Sequence, residues 1–382
     1  METKTIKIAV IESKYGGNVT SVNDLLTGLP KDAFDIIFIY LTGTDSDENH
    51  LAGAGYKVYY LSRHKKLRRF RFSIVFKLAK ILKAEHVDIV HCHRHKASCY
   101  GALAARLAKV AVVLSHVHGL GRTRNFKRRL VNFFLFRQLT RVLCVAGGVR
   151  EDVMRNNWFV PAEKLVVLEN SVDFERFADV AISKTEGKRL LGVPSEAFVF
   201  GTAGRLVPTK GLQYLVKAFS RVKRELPAAH LVILGDGPCR GDLEQQAREA
   251  GLSDSIHLPG RMNNIEQLYK AMDVFVLSSI AEGMPRVIME AMAAAVPCVC
   301  TDVGGITEVI NGTDVGFLVQ ARDSSALADA MLTVAKMSPK EYKQLACNGQ
   351  DRIRQFYRHE VVRQKLRSIY ESEFQASRQH GF

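Results

Sequence analysis

The residues of this chain best suited to do chemistry are two carboxylates, Glu282 and Glu290, in SSIAEGMPRVIMEAMAAAVPCV at 278–299. One precedes a helix start and the other follows it. Pro285 suits the first helical position, where its missing N–H costs nothing, and Arg286 to Ala295 is rich in helix formers until Pro297 ends the run. The first turn of such a helix, near Met284, Arg286 and Val287, presents unpaired backbone N–H groups and a partial positive charge, which suit an anion such as phosphate. Helical side chains lean toward the N-terminus, so Glu290 reaches back toward whatever binds there. It is the only charge between Val287 and Val296, and a carboxylate among apolar residues needs a fixed polar partner. The plainer alternative, Glu282 serving only the helix dipole and Glu290 on a wet face, sits badly with the Ala-rich flanks.

A pair of cations stands beside these acids in chemical logic. Arg205 and Lys210 are isolated in the loop of AFVFGTAGRLVPTKGLQYLVKAF, after a strand at 198–203 and before an amphipathic helix. Lys210 is followed by Gly and Leu, so this is not a Walker A loop, which needs Ser or Thr for magnesium. Two cations at a sheet's carboxyl edge neutralise a diphosphate without a metal, and no metal or other cofactor is expected; two exposed surface charges are the bland alternative. Near the N-terminus, Gly16 and Gly17 follow the strand TIKIAVI and can bring backbone N–H groups close to a ligand. The absence of G-x-G-x-x-G there argues against a nicotinamide dinucleotide. His118-Gly119 closes the strand AVVLSHVH, where open α/β sheets meet ligands, although a lone strand-end histidine is more often structural. His91, His93 and His95 alternate on one strand and would share a face, but no carboxylate cluster accompanies them, so no metal is expected.

The elements that must position these groups alternate along the chain. FDIIFIY, VDIVHCH, AVVLSHVH, RVLCVA and KLVVLE read as buried strands with helical segments between most of them, which predicts a parallel sheet covered on both faces. The pattern restarts after a polar linker at 178–194. Three parts follow: a first α/β domain over 1–178, a second over 179–359, and a terminal helix over 360–382. The length of 382 residues suits two cores, and 47% hydrophobic with 24% charged residues excludes a disordered chain. Seven cysteines without a CxxC pair read as core thiols in a reducing compartment. No apolar run reaches membrane-span length, and METKTIKIAVI leads straight into a strand, so the expected location is cytoplasmic.

Charge separates the two halves. The net charge is +15, and residues 1–180 hold 29 Lys and Arg against 17 Asp and Glu. Within them, 60–83 carries nine Lys or Arg, no acid, and Phe70, Phe72 and Phe76; Arg122–Arg141 is a second basic and aromatic stretch. Bases interleaved with apolar residues suit an anionic membrane surface, through Arg63–Lys83 and Arg122–Arg141. A solvated helix face is the competing reading, and nucleic acid ranks lowest because no recognition motif accompanies the charge.

Several of these motifs resemble one family. E-G-M-P-R-V-I-M-E-A-M-A, with glutamates eight positions apart, resembles the E-x7-E signature of glycosyltransferase family 4, and G-R-x-x-x-x-K-G around Arg205 and Lys210 is similar to that family's diphosphate-binding loop. Gly235-Asp236-Gly237-Pro238, His118-Gly119 and VVLENSVDFERF also look family-like, with Ser171 where the family usually has Gly. The resemblance implies the GT-B fold, two Rossmann-like doubly wound domains facing a central cleft, with the acceptor on the first and a nucleotide sugar on the second. It implies that Glu290 holds the ribose, that Glu282 and His118 meet the donor sugar, and that Arg205 and Lys210 act on the diphosphate. Gly260, Arg261 and Met262 would border the base, with Gly16, Gly17, Gly283, Met284, Arg286 and Val287 completing the donor site. The implied reaction is retaining transfer from a nucleotide diphosphate sugar, uridine favoured, to a saccharide or lipid-linked acceptor in surface polysaccharide or lipopolysaccharide assembly. The basic first domain favours the lipid-linked acceptor and the inner face of the cytoplasmic membrane. A sugar nucleotide epimerase of the same fold and a non-enzymatic basic adaptor are the alternatives. The adaptor would predict erosion at Arg205, Lys210, Glu282 or Glu290, and all four are intact.

Overall fold

Two all-parallel sheets organise the residues that the computed structural model describes, which are 5–15, 21–44, 49–63, 67, 69–121 and 126–379. Gly16, Gly17, Lys65, Lys66, Arg68 and Arg122 lie outside them. The chain divides into two compact units, Met1–Glu169 with Glu360–Phe382, and Asn170–His359.

The first unit holds β1 (Ile6–Lys14), β2 (Phe34–Thr42), β3 (Lys57–Tyr60), β4 (Ile89–His93), β5 (Val112–Val117), β6 (Arg141–Cys144) and β7 (Leu165–Val167), in the order β3-β2-β1-β4-β5-β6-β7. Ile8, Ala9, Val10 and Ile11 of β1 are buried on both faces, as a central strand between helical layers requires. The edge strand β3 is short and half-exposed, which explains why the apolar pattern does not announce it. The C-terminal helix His359–Gln379 buries Val362, Leu366, Tyr370 and Phe374 in this unit's core, against Phe34, Leu114 and Leu168.

The second unit repeats the design with β8 (Phe198–Ala203), β9 (Ala229–Leu234), β10 (Ile256–Gly260), β11 (Val274–Leu277), β12 (Cys298–Thr301) and β13 (Phe317–Val319), ordered β10-β9-β8-β11-β12-β13. In both sheets the order reverses beside the first strand of the unit. The carboxyl ends at that switch point are where open α/β sheets bind ligands. The amphipathic helix Leu212–Glu225 covers β8 and β9 with Leu212, Leu215, Val216, Phe219 and Val222 at helical spacing.

The boundary between units falls at 169/170, earlier than the expected 178/179. Much of the expected linker is folded: the helices Phe174–Ala178 and Lys184–Leu191 belong to the second unit, and Val172 bridges to Arg358. The polar composition of 178–194 reflects exposed helix faces and caps, such as Ser183 accepting from the Glu186 N–H.

Candidate active site

Three loops meet at the carboxyl edge of the second sheet. The first, after β8, runs from Gly204 to Gly211; the second, after β11, runs from Ser278 to Pro285 and feeds the helix Arg286–Ala293; the third is the end of β10 at Gly260. Backbone contacts lock the first two together. The Ile280 N–H donates to Thr209 O at 2.8 Å, and the Ser278 hydroxyl donates to Lys210 O at 3.1 Å. Gly211 sits at φ +59°, and a Cβ there would meet Ser278 O at 2.2 Å, so only glycine admits this approach. The 235–238 turn braces the first loop from the other side. Gly235, at φ +126°, would drive a Cβ into Gly204 O at 1.9 Å, so this turn has a structural role.

This bracing brings Lys210 to Glu282. Lys210 Nζ donates to Glu282 Oε1 at 2.5 Å, and the Ser279 hydroxyl donates to the same oxygen at 2.7 Å. Both charged side chains are mostly buried, at 19% and 14% exposure, so the pair is screened far less than a surface ion pair. Glu282 Oε2 is left to receive a further hydroxyl. Arg205 is exposed on the same loop.

The helix Arg286–Ala293 starts one residue later than expected, with Pro285 as its N-cap at φ −78° and ψ 121°. No side chain caps it, because proline has none to offer, so the first-turn N–H groups keep their capacity for an anion. Two bonds fix the entry to this turn: Asn170 Nδ2 donates to Met284 O at 2.7 Å, and the Gly305 N–H to Gly283 O at 2.7 Å. Glu290 has the fixed polar partner its surroundings demanded, the hydroxyl of fully buried Tyr269, which donates to Oε2 at 2.9 Å. Burial and the adjacent Glu290 carboxylate hold the Tyr269 phenol well above its ordinary pKa, so it remains a donor. Gly260, at φ +85°, accepts from the Gly235 N–H at 2.7 Å; Arg261 is exposed and Met262 half-buried beyond it.

Sequence reasoning missed Tyr269, Ser279 and Asn170. Ser279 three residues before Glu282 was legible as a local partner, whereas the other two reach the site from 21 and 114 positions away. Thr301 on β12 adds a brace by donating to Ser279 O at 2.6 Å.

In the first unit, His118 follows β5 and its Nε2 lies 3.1 Å from Nδ1 of His93. The expected strand-face trio of His91, His93 and His95 does not form. The strand ends at His93, Arg94 takes φ +70°, and His95 enters a helix where it bonds Asn132 at 2.8 Å. His116, the register partner of His93 on β5, stands in its place.

Two Rossmann-like doubly wound sheets define the GT-B architecture, and the cation and acid pair with the uncapped helix start at a carboxyl edge suits an anionic ligand. Residues 183–352 match the family described as glycosyl transferases group 1, and 15–176 match glycosyltransferase family 4. The chain is 33% identical, over 80% of its length and 81% of the relative's, to the UDP-Gal:alpha-D-GlcNAc-diphosphoundecaprenol alpha-1,3-galactosyltransferase of Escherichia coli. It is 30% identical to the lipopolysaccharide core biosynthesis mannosyltransferase LpsB of Rhizobium meliloti, over 63% of this chain and 67% of that one. Among solved structures, Anabaena HepE in complex with UDP and glucose superposes with a TM-score of 0.84 at 22% identity, covering 96% of this chain and all of that one. This chain belongs to glycosyltransferase family 4, and it is a glycosyltransferase.

Proposed function

We propose that the enzyme transfers a sugar from a UDP-sugar, with retention of anomeric configuration, to a lipid-linked saccharide in surface polysaccharide or lipopolysaccharide assembly. The observation that carries this reading is the Lys210 and Glu282 pair beside the uncapped start of the helix Arg286–Ala293. When a donor binds, its diphosphate competes with Glu282 for Lys210, and the N–H groups of the helix start take the remaining phosphate oxygens. Arg205 adds a second cation from the same loop. Together they stabilise the charge that develops on the leaving UDP. Glu282, held by Ser279, accepts a hydroxyl of the donor sugar, while Glu290, held by Tyr269, accepts the ribose hydroxyls. His118 of the first unit is assigned to the donor sugar. The leaving phosphate takes the acceptor proton as the new glycosidic bond forms, so no protein base and no metal at the diphosphate are invoked. The name of the Escherichia coli relative supports a UDP-sugar donor and a lipid-linked acceptor, and that of the Rhizobium meliloti relative supports a place in lipopolysaccharide assembly.

The surface of the first unit supports a membrane-associated acceptor. On the helix Phe72–Ala84, Phe72 and Phe76 are exposed beside Lys77 and Lys80; on the helix Phe126–Gln138, Phe126, Leu130 and Phe134 are exposed beside Arg137. Both helices pack against the helix Arg94–Ala108. Exposed aromatics set among cations bind anionic headgroups and bury rings in the interface. No helix among the described residues is long and apolar enough to cross a membrane. The proposed contact is peripheral, at the inner face of the cytoplasmic membrane.

Calorimetric titration with UDP, GDP and ADP and their sugar conjugates tests the donor. Selective binding of UDP, equal with and without added Mg²⁺ and lost in Lys210→Ala, is the expected result. Selection of GDP or ADP, or a requirement for Mg²⁺, would replace the uridine or the metal-free part of the reading.

A further inference from the structure

Behind His118, which is assigned to the donor sugar, the first unit buries a cluster of three further histidines. His91 and His93 sit two residues apart on one face of β4, and His116 faces them from β5 in direct register with His93. Their exposures are 1%, 3% and 4%. Ring centroids are 4.3 Å apart for His91 and His93, 5.3 Å for His93 and His116, and 5.7 Å for His91 and His116.

The hydrogen bonds of these rings are incomplete in a patterned way. Nδ1 of His91 lies 2.6 Å from the Tyr370 hydroxyl on the C-terminal helix, and Nδ1 of His93 lies 3.1 Å from Nε2 of His118. Among the described residues, Nε2 of His91 and Nε2 of His93 have no partner, and the Leu168 backbone is the one group that reaches a ring nitrogen of His116, which leaves its other nitrogen unpaired. A buried polar atom left unpaired costs about 1–3 kcal/mol, so three in one place require a reason. One ring nitrogen from each histidine lies within 4.8 Å of the others.

We propose that His91, His93 and His116 bind a divalent transition-metal ion of the zinc class. Two histidines at i and i+2 on a strand with a third on the adjacent strand supply three imidazoles from one face, the donor set of three-histidine zinc sites. A zinc ion with about 2.0–2.1 Å bonds draws the three nitrogens to roughly 3.3 Å from one another, an inward shift of about 1 Å or less per ring. The outer contacts already have the form such sites use: Tyr370 on the far nitrogen of His91 and His118 on that of His93 fix which nitrogen faces the ion. Burial keeps the rings neutral, the form that ligates. Soft and borderline ions are favoured over Mg²⁺ and Ca²⁺, which seek oxygen ligands. Glu12, one residue beyond the last position at which β1 pairs with β4, carries a further buried carboxylate oxygen without a partner on the adjacent strand. The site ties β4 and β5 to one another within the first unit.

The test uses the full-length protein, purified without a histidine tag, stripped with a chelator and gel-filtered, then loaded with Zn²⁺ or Co²⁺ alone. One equivalent of zinc per chain, a rise in melting temperature of the first unit, and X-ray absorption showing three imidazole nitrogens on zinc are expected. In H91Q and H116Q the zinc content falls at least tenfold. Substoichiometric zinc in the wild type, a zinc shell of sulfur or oxygen, or unchanged zinc content in the folded variants overturns the proposal. The absorption measurement on the wild type decides the question if either variant does not fold. UDP titration of the same stripped and loaded samples keeps a failure at this site distinct from one at the donor site.

Discussion

The two units share a strand order but differ in what their carboxyl edges are made of. In the second, glycines at 204, 211 and 235 press backbone against backbone, and each functional carboxylate already has a partner. The first carries most of the excess positive charge, exposed aromatic helices and buried histidines with unpaired nitrogens. The difference teaches how one fold divides its work. On the proposed function, a nucleotide diphosphate is a constant ligand that rigid loops meet with fixed charge, whereas an acceptor in or near a bilayer is met by surface composition.

Breaking the second unit's charge pair should have the largest effect. Lys210→Ala is expected to lower kcat/KM by ~10²–10³-fold, the scale of losing one preorganised donor to a developing charge, with liposome binding unchanged. Steady-state kinetics beside a flotation assay would check it, and a loss of both properties would erase the division drawn here. Gly235→Ala comes next. Its Cβ has no room against Gly204 O, so the second unit should lose roughly 2–4 kcal/mol, read as an earlier unfolding transition in calorimetry.

The first unit is probed by replacing Phe72, Phe76, Phe126 and Phe134 with serine. Affinity for anionic vesicles should fall roughly ten- to a hundredfold while UDP binding is kept. Glu290→Ala should weaken UDP about tenfold, the scale of one lost hydrogen-bonded carboxylate, and leave UDP-independent stability close to wild type. The smallest effect is expected at Asn170. Removing its bond to Met284 O with Asn170→Ala should cost about 1 kcal/mol in nucleotide affinity, a fewfold change in Kd, through loosening of the helix entry alone. An effect as large as that of Lys210→Ala would mean that the turn is not braced by the glycines.

The alternation of apolar strands with helical segments was enough to predict two parallel sheets, because a strand buried on both faces must be apolar along its whole length. The helix after Glu282 was equally legible, since proline, helix formers and a second proline act over a few residues. The edge strand β3 was not legible, being too short and too exposed to leave a pattern. Nor was the boundary at 169/170, because exposed helix faces and true linkers have the same composition.

Sequence by itself determined the fold class, the acids at Glu282 and Glu290, the cations at Arg205 and Lys210, and the uneven charge. These depend on residue type and short spacing. Tertiary structure decided the partners: Lys210 with Glu282, Tyr269 with Glu290, Asn170 with Met284, and His116 rather than His95 beside His91 and His93. Each of those groupings joins positions far apart in the chain, and only the register of neighbouring strands and the packing of loops brings them together.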